Sequence, residues 1–154
     1  MERTQSFDRV AERLYVGEHP ARAGELAEVL AKLPEAGIGA VVSVCEKPLD
    51  PAALQAAGLR GLHLPVSDYD APDAEQLEQA VAFIRAAHAD QLGVLVHCFA
   101  GIGRSATVAC CHLVAEGMDP ASAIAQVRAR RSPYCVESSA QREAVLAFAQ
   151  RRAR

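Results

Sequence analysis

Apolar positions along the chain follow two rhythms, and the change between them marks the elements. Leu14-Tyr15-Val16-Gly17 reads as a short first strand ended by glycine. From Glu25 to Leu33 the apolar residues Leu26, Val29, Leu30 and Leu33 recur at helical spacing and stop before Pro34. Ala40 to Cys45 is a β-branched run with one small polar residue, Ser43, and reads as a buried, central strand. Pro51 to Ala57 is a short helix closed by Gly58. Leu62 to Val66 alternates like a strand, with Pro65 marking an edge or a strand end. After a polar, acidic loop from Ser67 to Pro72, the stretch Asp73–His88 is helical, with Leu77, Val81 and Ile84 as its apolar stripe. Gly93 to Val96 is another buried strand, and Ala106 to Glu116 is a helix apolar on nearly every side, closed by Gly117. Asp119-Pro120 opens a helix that runs to about Arg131, with aspartate as cap. Ser138 followed by Gln141 has the spacing of a capping box for a last helix. Strands alternating with helices predict an α/β fold: a central, mostly parallel sheet of about four to five strands flanked by helices, in one domain spanning 1–154.

Composition narrows the classes without choosing among them. Of 154 residues, 51% are hydrophobic and 23% charged, which suits a globular domain able to bury a core. The net charge of −3, with no basic stripe, argues against nucleic acid as a partner. The start of the chain, Met1 to Ser6, is charged and has no apolar segment, so no signal peptide is expected, and no apolar run is long enough to span a bilayer. The five cysteines (45, 98, 110, 111 and 135) form no CxxC pair and no metal-ligand spacing, so neither a metal nor another cofactor is expected. An odd count without a secretion signal predicts a cytoplasmic protein, and nothing in the pattern asks for more than a monomer.

One stretch carries chemistry. His97-Cys98-Phe99-Ala100-Gly101-Ile102-Gly103-Arg104-Ser105 lies between the end of a strand and the start of a helix. Such a helix start offers unpaired N–H groups and the positive end of a dipole. Gly101 and Gly103 let the backbone curl with its N–H groups inward, as an anion-binding nest. Cys98 opens the nest and Arg104 closes it. The dipoles that attract an anion also stabilise a thiolate, and a planar guanidinium can grip two oxygens of a tetrahedral oxyanion. A nucleophile on the floor of a phosphate cradle implies phosphoryl transfer to cysteine. The plain alternative is a glycine-containing turn around a buried cysteine, the role expected for Cys110, Cys111 and Cys135.

The stretch HCFAGIGRS, with Cys98 and Arg104 separated by five residues, resembles the signature loop of the cysteine-dependent protein tyrosine phosphatases, and most of all their small dual-specificity branch. LYVG, AGIGAVVSV, LPVSD about thirty residues before the cysteine, and a final helix carrying Gln141 agree, so the resemblance covers most of the chain. It implies a metal-independent phosphatase acting on phosphotyrosine and phosphoserine/threonine proteins or other phosphomonoesters. Lipid, inositol-phosphate and RNA 5′-phosphatases of the same superfamily are the alternative. The tensin-like lipid branch tends to carry lysines in the loop, where Phe99, Ala100 and Ile102 stand here. An alternative of another class is a dead phosphatase that only binds phosphoproteins, and such proteins usually lack the cysteine or the arginine.

The roles follow. Cys98 attacks phosphorus, and Arg104 binds the phosphate and steadies the transition state. Ser105 donates to the sulfur or caps the helix, or both. His97 orients the loop from behind or is a satisfied core histidine. Phe99, Ala100, Gly101, Ile102 and Gly103 bind substrate through backbone N–H groups, their side chains forming the rim of a shallow, wide pocket. The general acid is Asp68, at the carboxyl end of a strand, where ligand sites of open α/β sheets gather. Asp70 is the alternative, and Asp73 is a helix cap. Gln141 lies near the site in relatives, or serves only its capping box. Glu46 and Lys47 follow the strand ending at Cys45 and either face the cleft or, as the leading reading, are solvated loop charges. Cys45 ends a strand, and if that strand is a parallel neighbour of the Cys98 strand, the two ends lie about 5 Å apart. That is within disulfide reach, which makes Cys45 a redox partner for Cys98 or an inert buried thiol.

Overall fold

The computed structural model describes residues 6–154. The reading of Met1–Gln5 as free of a signal segment lies outside them. Five strands form one sheet in the order β1-β2-β5-β3-β4: β1 Phe7–Ala11, β2 Leu14–Gly17, β3 Ile38–Val44, β4 Arg60–Leu64 and β5 Gly93–His97. All neighbours are parallel except β1 and β2, which make an antiparallel hairpin. Among the described residues the six α-helices are α1 Leu26–Lys32, α2 Pro51–Ala56, α3 Ala74–Ala89, α4 Arg104–Ala115, α5 Pro120–Arg130 and α6 Ser139–Arg152, with short 3-10 turns before and after α1.

The continuous apolar strands are explained by burial on both faces. Val94 and Val96 of β5, with Ala40, Val42 and Val44 of β3, join the core beneath α3, α4, α5 and α6. Leu95 and Val41 point the other way, into a smaller core with Leu30, Leu33, Leu49 and Leu59. Every residue of α4 from Arg104 to Val114 is buried, so the helix that follows the signature loop is the central post of the larger layer. None of the helices among the described residues is long and apolar enough to cross a membrane.

Several expectations need correction. Leu14–Gly17 is the second strand, because Phe7–Ala11 precedes it. That edge strand buries only Val10 and is bulged between Arg9 and Ala11, so it has no apolar rhythm to read. The edge strand at the other side covers Arg60–Leu64, two residues earlier than Leu62–Val66, and stops before Pro65, which could not extend the ladder. The helix after the signature loop starts at Arg104 with Gly103 as its N-cap, so Ser105 lies inside the first turn and is not the cap. The caps at Asp73, Asp119 and Ser138 are as read, with full capping boxes at Asp73–Gln76 and Ser138–Gln141.

Candidate active site

The loop from Cys98 to Gly103 leaves the middle of the sheet at the carboxyl end of β5. Its carbonyls are all held from outside. His97 Nδ1 donates to the Cys98 carbonyl at 3.0 Å. The Phe99 carbonyl accepts from the His19 N–H at 2.9 Å and from Arg22 at 3.3 Å. Arg131 donates from Nη2 to Ala100 at 3.1 Å and from Nε to Gly101 at 3.0 Å. The Val136 N–H donates to Ile102 at 2.9 Å, and Thr107 donates to Gly103 through its N–H at 3.0 Å and its hydroxyl at 2.8 Å. A trans peptide unit points its N–H opposite to its C=O. Carbonyls held outward therefore turn the intervening N–H groups toward the hollow of the loop, which is the geometry of an anion nest.

Both glycines are required. Gly101 has a φ of +73°, and a Cβ there would strike the Gly17 carbonyl at 2.5 Å. A Cβ at Gly103 would meet the Gln141 amide nitrogen at 2.8 Å and collide with the Glu137 carboxylate. Gln141 is fully buried. Its Oε1 accepts from the Glu137 N–H at 2.9 Å, and its Nε2 donates to the Asp70 carbonyl at 3.1 Å. The capping-box residue thus also ties the start of α6 to the acidic loop, beneath Gly103.

Cys98 is only 3% exposed, with Ser105 Oγ 3.1 Å from its sulfur. Behind it, His97 Nε2 lies 2.7 Å from Ser43 Oγ. Because Nδ1 must carry the proton to donate to the Cys98 carbonyl, Nε2 is the acceptor for the Ser43 hydroxyl. Burial pushes the His97 pKa down to about 4, aided by His19 and Arg104 and opposed by its bond to the Cys98 carbonyl, so the ring is neutral near pH 7. His97 is therefore both a satisfied core histidine and a support for the loop.

Arg104 is buried in the first turn of α4, where the helix dipole opposes a cation. Nη1 donates to Glu46 Oε1 at 2.5 Å and to the Val66 carbonyl at 2.8 Å. Nε is buried with no protein partner among the described residues, and Nη2 has only Asp68 Oδ1 at 3.6 Å. The edge formed by Nε and Nη2 is thus open to a bidentate oxyanion. Glu46 was expected to be a solvated charge. It is instead the ion-pair partner of Arg104, and that hydrogen bond holds its carboxyl below the usual range.

Asp68 faces Arg104, with its side chain half-exposed. Asp68 and Asp70 alike accept the next residue's N–H, from Tyr69 at 3.0 Å and from Ala71 at 2.9 Å. Asp73 caps α3. A further carboxyl, Glu137, was not singled out in the sequence. Burial and the Asp68 charge push its pKa up, against the pull of Arg104. Arg131 was missed too, since it ends a helix amid other arginines and its partners lie about thirty and more than a hundred residues away. Cys45 stands one residue past the end of β3, beside β5, and its thiol donates to the Lys47 carbonyl at 3.3 Å.

The chain is 44% identical over 77 residues to mouse dual specificity protein phosphatase 12, covering 49% of this chain but 23% of that one. It is 30% identical over 121 residues to bovine protein tyrosine phosphatase type IVA 3, covering 77% and 69% respectively. It thus spans about a quarter of the first relative and about two thirds of the second. Among solved structures, Tk-PTP in its active form superposes with a TM-score of 0.85 at 29% identity, over 95% of this chain and 97% of that one. A family model described as a polymorphic toxin system DSP-PTPase phosphatase matches residues 16–118, two thirds of the chain, from the end of β2 through α4, so the protein belongs to the DSP-PTPase family of cysteine-dependent phosphatases.

Proposed function

We propose that the protein hydrolyses phosphomonoesters, phosphotyrosine and phosphoserine/threonine proteins foremost, through a phosphocysteine intermediate. One observation carries the reading: a buried cysteine on the floor of a loop whose carbonyls all point outward, beside the Arg104 guanidinium, whose Nε has no protein partner among the described residues and whose Nη2 has Asp68 at 3.6 Å. In the first step the Cys98 sulfur attacks phosphorus along the line of the departing ester bond. Nest N–H groups and the Nε–Nη2 edge of Arg104 hold the equatorial oxygens as charge spreads over them. Asp68 gives its proton to the leaving oxygen. In the second step the Asp68 carboxylate takes a proton from water, the water oxygen bonds phosphorus, and the S–P bond breaks. Ser105, 3.1 Å from the sulfur, donates to the departing thiolate. Gln141 and His97 support the loop. The reading also places the protein in the cytoplasm as a monomer, and it assigns Cys45 as a redox partner of Cys98. All five cysteines are unpaired in the structure.

Turnover of p-nitrophenyl phosphate in the presence of chelator tests the reading. Cys98→Ser is expected to abolish turnover while still binding phosphate, because the nest is backbone. Asp68→Asn is expected to slow esters with poor leaving groups far more than those with good ones, since only the former need the proton. Appreciable turnover by Cys98→Ser overturns the mechanism. Asp70→Asn showing the leaving-group effect in place of Asp68→Asn moves the acid to Asp70.

A further inference from the structure

Four large apolar side chains are well exposed among the described residues, and three of them, Tyr69, Phe99 and Tyr134, sit in the loops that surround Cys98. Tyr69 follows Asp68, whose carboxylate lies 3.6 Å from Arg104. Phe99 follows the nucleophile itself. Tyr134 belongs to the segment between α5 and α6, bound to the signature loop by Val136 N–H at 2.9 Å and by Arg131. Core packing explains none of them, since they are 63%, 56% and 75% exposed. Tyr69 is also held at a φ of 64°, a conformation that an aromatic residue rarely adopts. One face of the Phe99 ring is backed by the Arg22 guanidinium at 4.4 Å, and Arg22 is in turn paired with Glu18 at 3.3 Å.

Three carboxylates stand on the same rim. Glu46 bonds Arg104, Asp68 faces it, and Glu137 stands within the electrostatic reach of both Asp68 and Arg104. The nearby cations are spoken for: Arg22 by Glu18, and Arg131 by Asp8 at 2.9 Å. Lys47, next to Glu46, is the one lysine of this segment. Once the phosphate has neutralised Arg104, the surroundings of the mouth are acidic. Carboxylates within a Debye length, about 8 Å at physiological salt, repel further negative charge on a substrate and attract positive charge.

Resting on the phosphatase reading above, we propose that this rim selects phosphotyrosine in segments with basic residues beside it, and turns away polyanionic phosphates such as inositol phosphates. The aromatic side chains receive the tyrosine ring and the adjoining chain, and the carboxylates receive neighbouring arginine or lysine. Specificity arises as much from repulsion of the wrong substrate as from attraction of the right one.

The test uses phosphotyrosine peptides identical except for Arg, Ala or Glu on both sides of the phosphorylated residue. For the wild-type protein, kcat/KM is expected to fall in the order Arg, Ala, Glu, with about a tenfold span at low salt that shrinks several-fold at about 0.5 M salt. Affinities of the same peptides for Cys98→Ser should follow the same order, and this second series reads the rim even if turnover fails. Glu137→Gln should narrow the span. Tyr134→Ala should lower kcat/KM for the peptides several-fold more than for p-nitrophenyl phosphate, which has no adjoining chain. Equal or better handling of the Glu-flanked peptide or of an inositol phosphate overturns the proposal, as does a Tyr134→Ala variant that handles peptides normally. Loss of p-nitrophenyl phosphate turnover in the wild-type protein instead strikes the phosphatase reading.

Discussion

Arg104 shows how one residue is fitted to its task by what surrounds it. A cation in the first turn of a helix opposes the macrodipole, and a buried guanidinium needs compensation. Glu46 and the Val66 carbonyl hold Nη1 at 2.5 and 2.8 Å, Asp68 lies 3.6 Å from Nη2, and Nε has no protein partner among the described residues, which is the edge proposed above to take substrate. Cys45, immediately before Glu46, is the redox partner proposed above for Cys98. The pairing of Ser43 with His97 sets Cys45 one residue beyond the level of Cys98. At the strand spacing of about 4.8 Å and the rise of about 3.3 Å per residue, that offset is about 6 Å between Cα atoms, inside disulfide range. Peroxide converts the Cys98 thiolate to a sulfenic acid, and attack by the Cys45 sulfur would expel hydroxide, giving a disulfide and water. Burial pushes the Cys45 thiol up to about 11, so its thiolate is scarce near neutral pH. After mild peroxide, peptide mass mapping should find a Cys45–Cys98 disulfide that forms several-fold faster for each unit of pH above 7 and is reversed by dithiothreitol. Cys45→Ser should make peroxide inactivation harder to reverse. Full recovery of oxidised Cys45→Ser by dithiothreitol, at the wild-type rate, would remove the role.

At the scale of elements, the nest is made by its back side. Arg131 spends Nε and Nη2 on the Gly101 and Ala100 carbonyls, and Nη1 on Asp8 Oδ2 at 2.9 Å and Ser6 Oγ at 2.7 Å. It therefore locks the end of α5, the edge strand β1 and the signature loop together. Arg131→Lys keeps the charge and loses the fork. Kinetics of this variant should show kcat/KM reduced about tenfold to a hundredfold with weaker vanadate inhibition, while circular dichroism and the melting transition change little. Asp8→Asn should give a smaller loss in the same direction. Wild-type vanadate affinity in Arg131→Lys would show that the clamp is not needed. This clamp also marks where sequence reading stops. β5, the loop and α4 were legible because an apolar run, paired glycines and a second apolar run each demand one local structure. Asp68 was preferred to Asp70 and Asp73 from the sequence, and its contact with Arg104 exists only through the tertiary fold. Arg131, Glu137 and Glu46 were illegible, since each gains its meaning from a partner brought close only by the tertiary fold. β1 was illegible because a bulged edge strand with one buried residue carries no periodic signal.

The whole molecule carries a further consequence of how much polar machinery it buries. His97 lies beneath Cys98, and His112 lies in α4, edge-on to His88 with ring centroids 5.3 Å apart. Both are nearly inaccessible, at 0% and 3% exposure. Burial pushes each pKa down to about 4, and for His112 the Glu116 carboxylate at 3.8 Å pulls upward without prevailing. In the unfolded chain both titrate near 6.5. Between those values the unfolded chain binds protons that the folded one refuses, so stability falls as pH falls. The contribution is fully present above pH 6.5 and is lost progressively toward pH 4, at about 3 kcal/mol for each histidine. Set against the 5–15 kcal/mol typical of a domain, about 6 kcal/mol is a large share. Urea denaturation followed by circular dichroism at pH 7.0 and pH 4.5 should therefore show a sharply lower midpoint at the acid end. The slope with denaturant should be unchanged, because the same surface is exposed. His112→Gln removes one of the two titrations at a distance from the nest. Whatever the substitution costs at pH 7, it should reduce the difference between the two pH values by about half. A wild-type midpoint that does not move over this interval would mean that both rings accept protons in the folded state, and that the neutral His97 holding the Cys98 carbonyl is not the form that supports the loop.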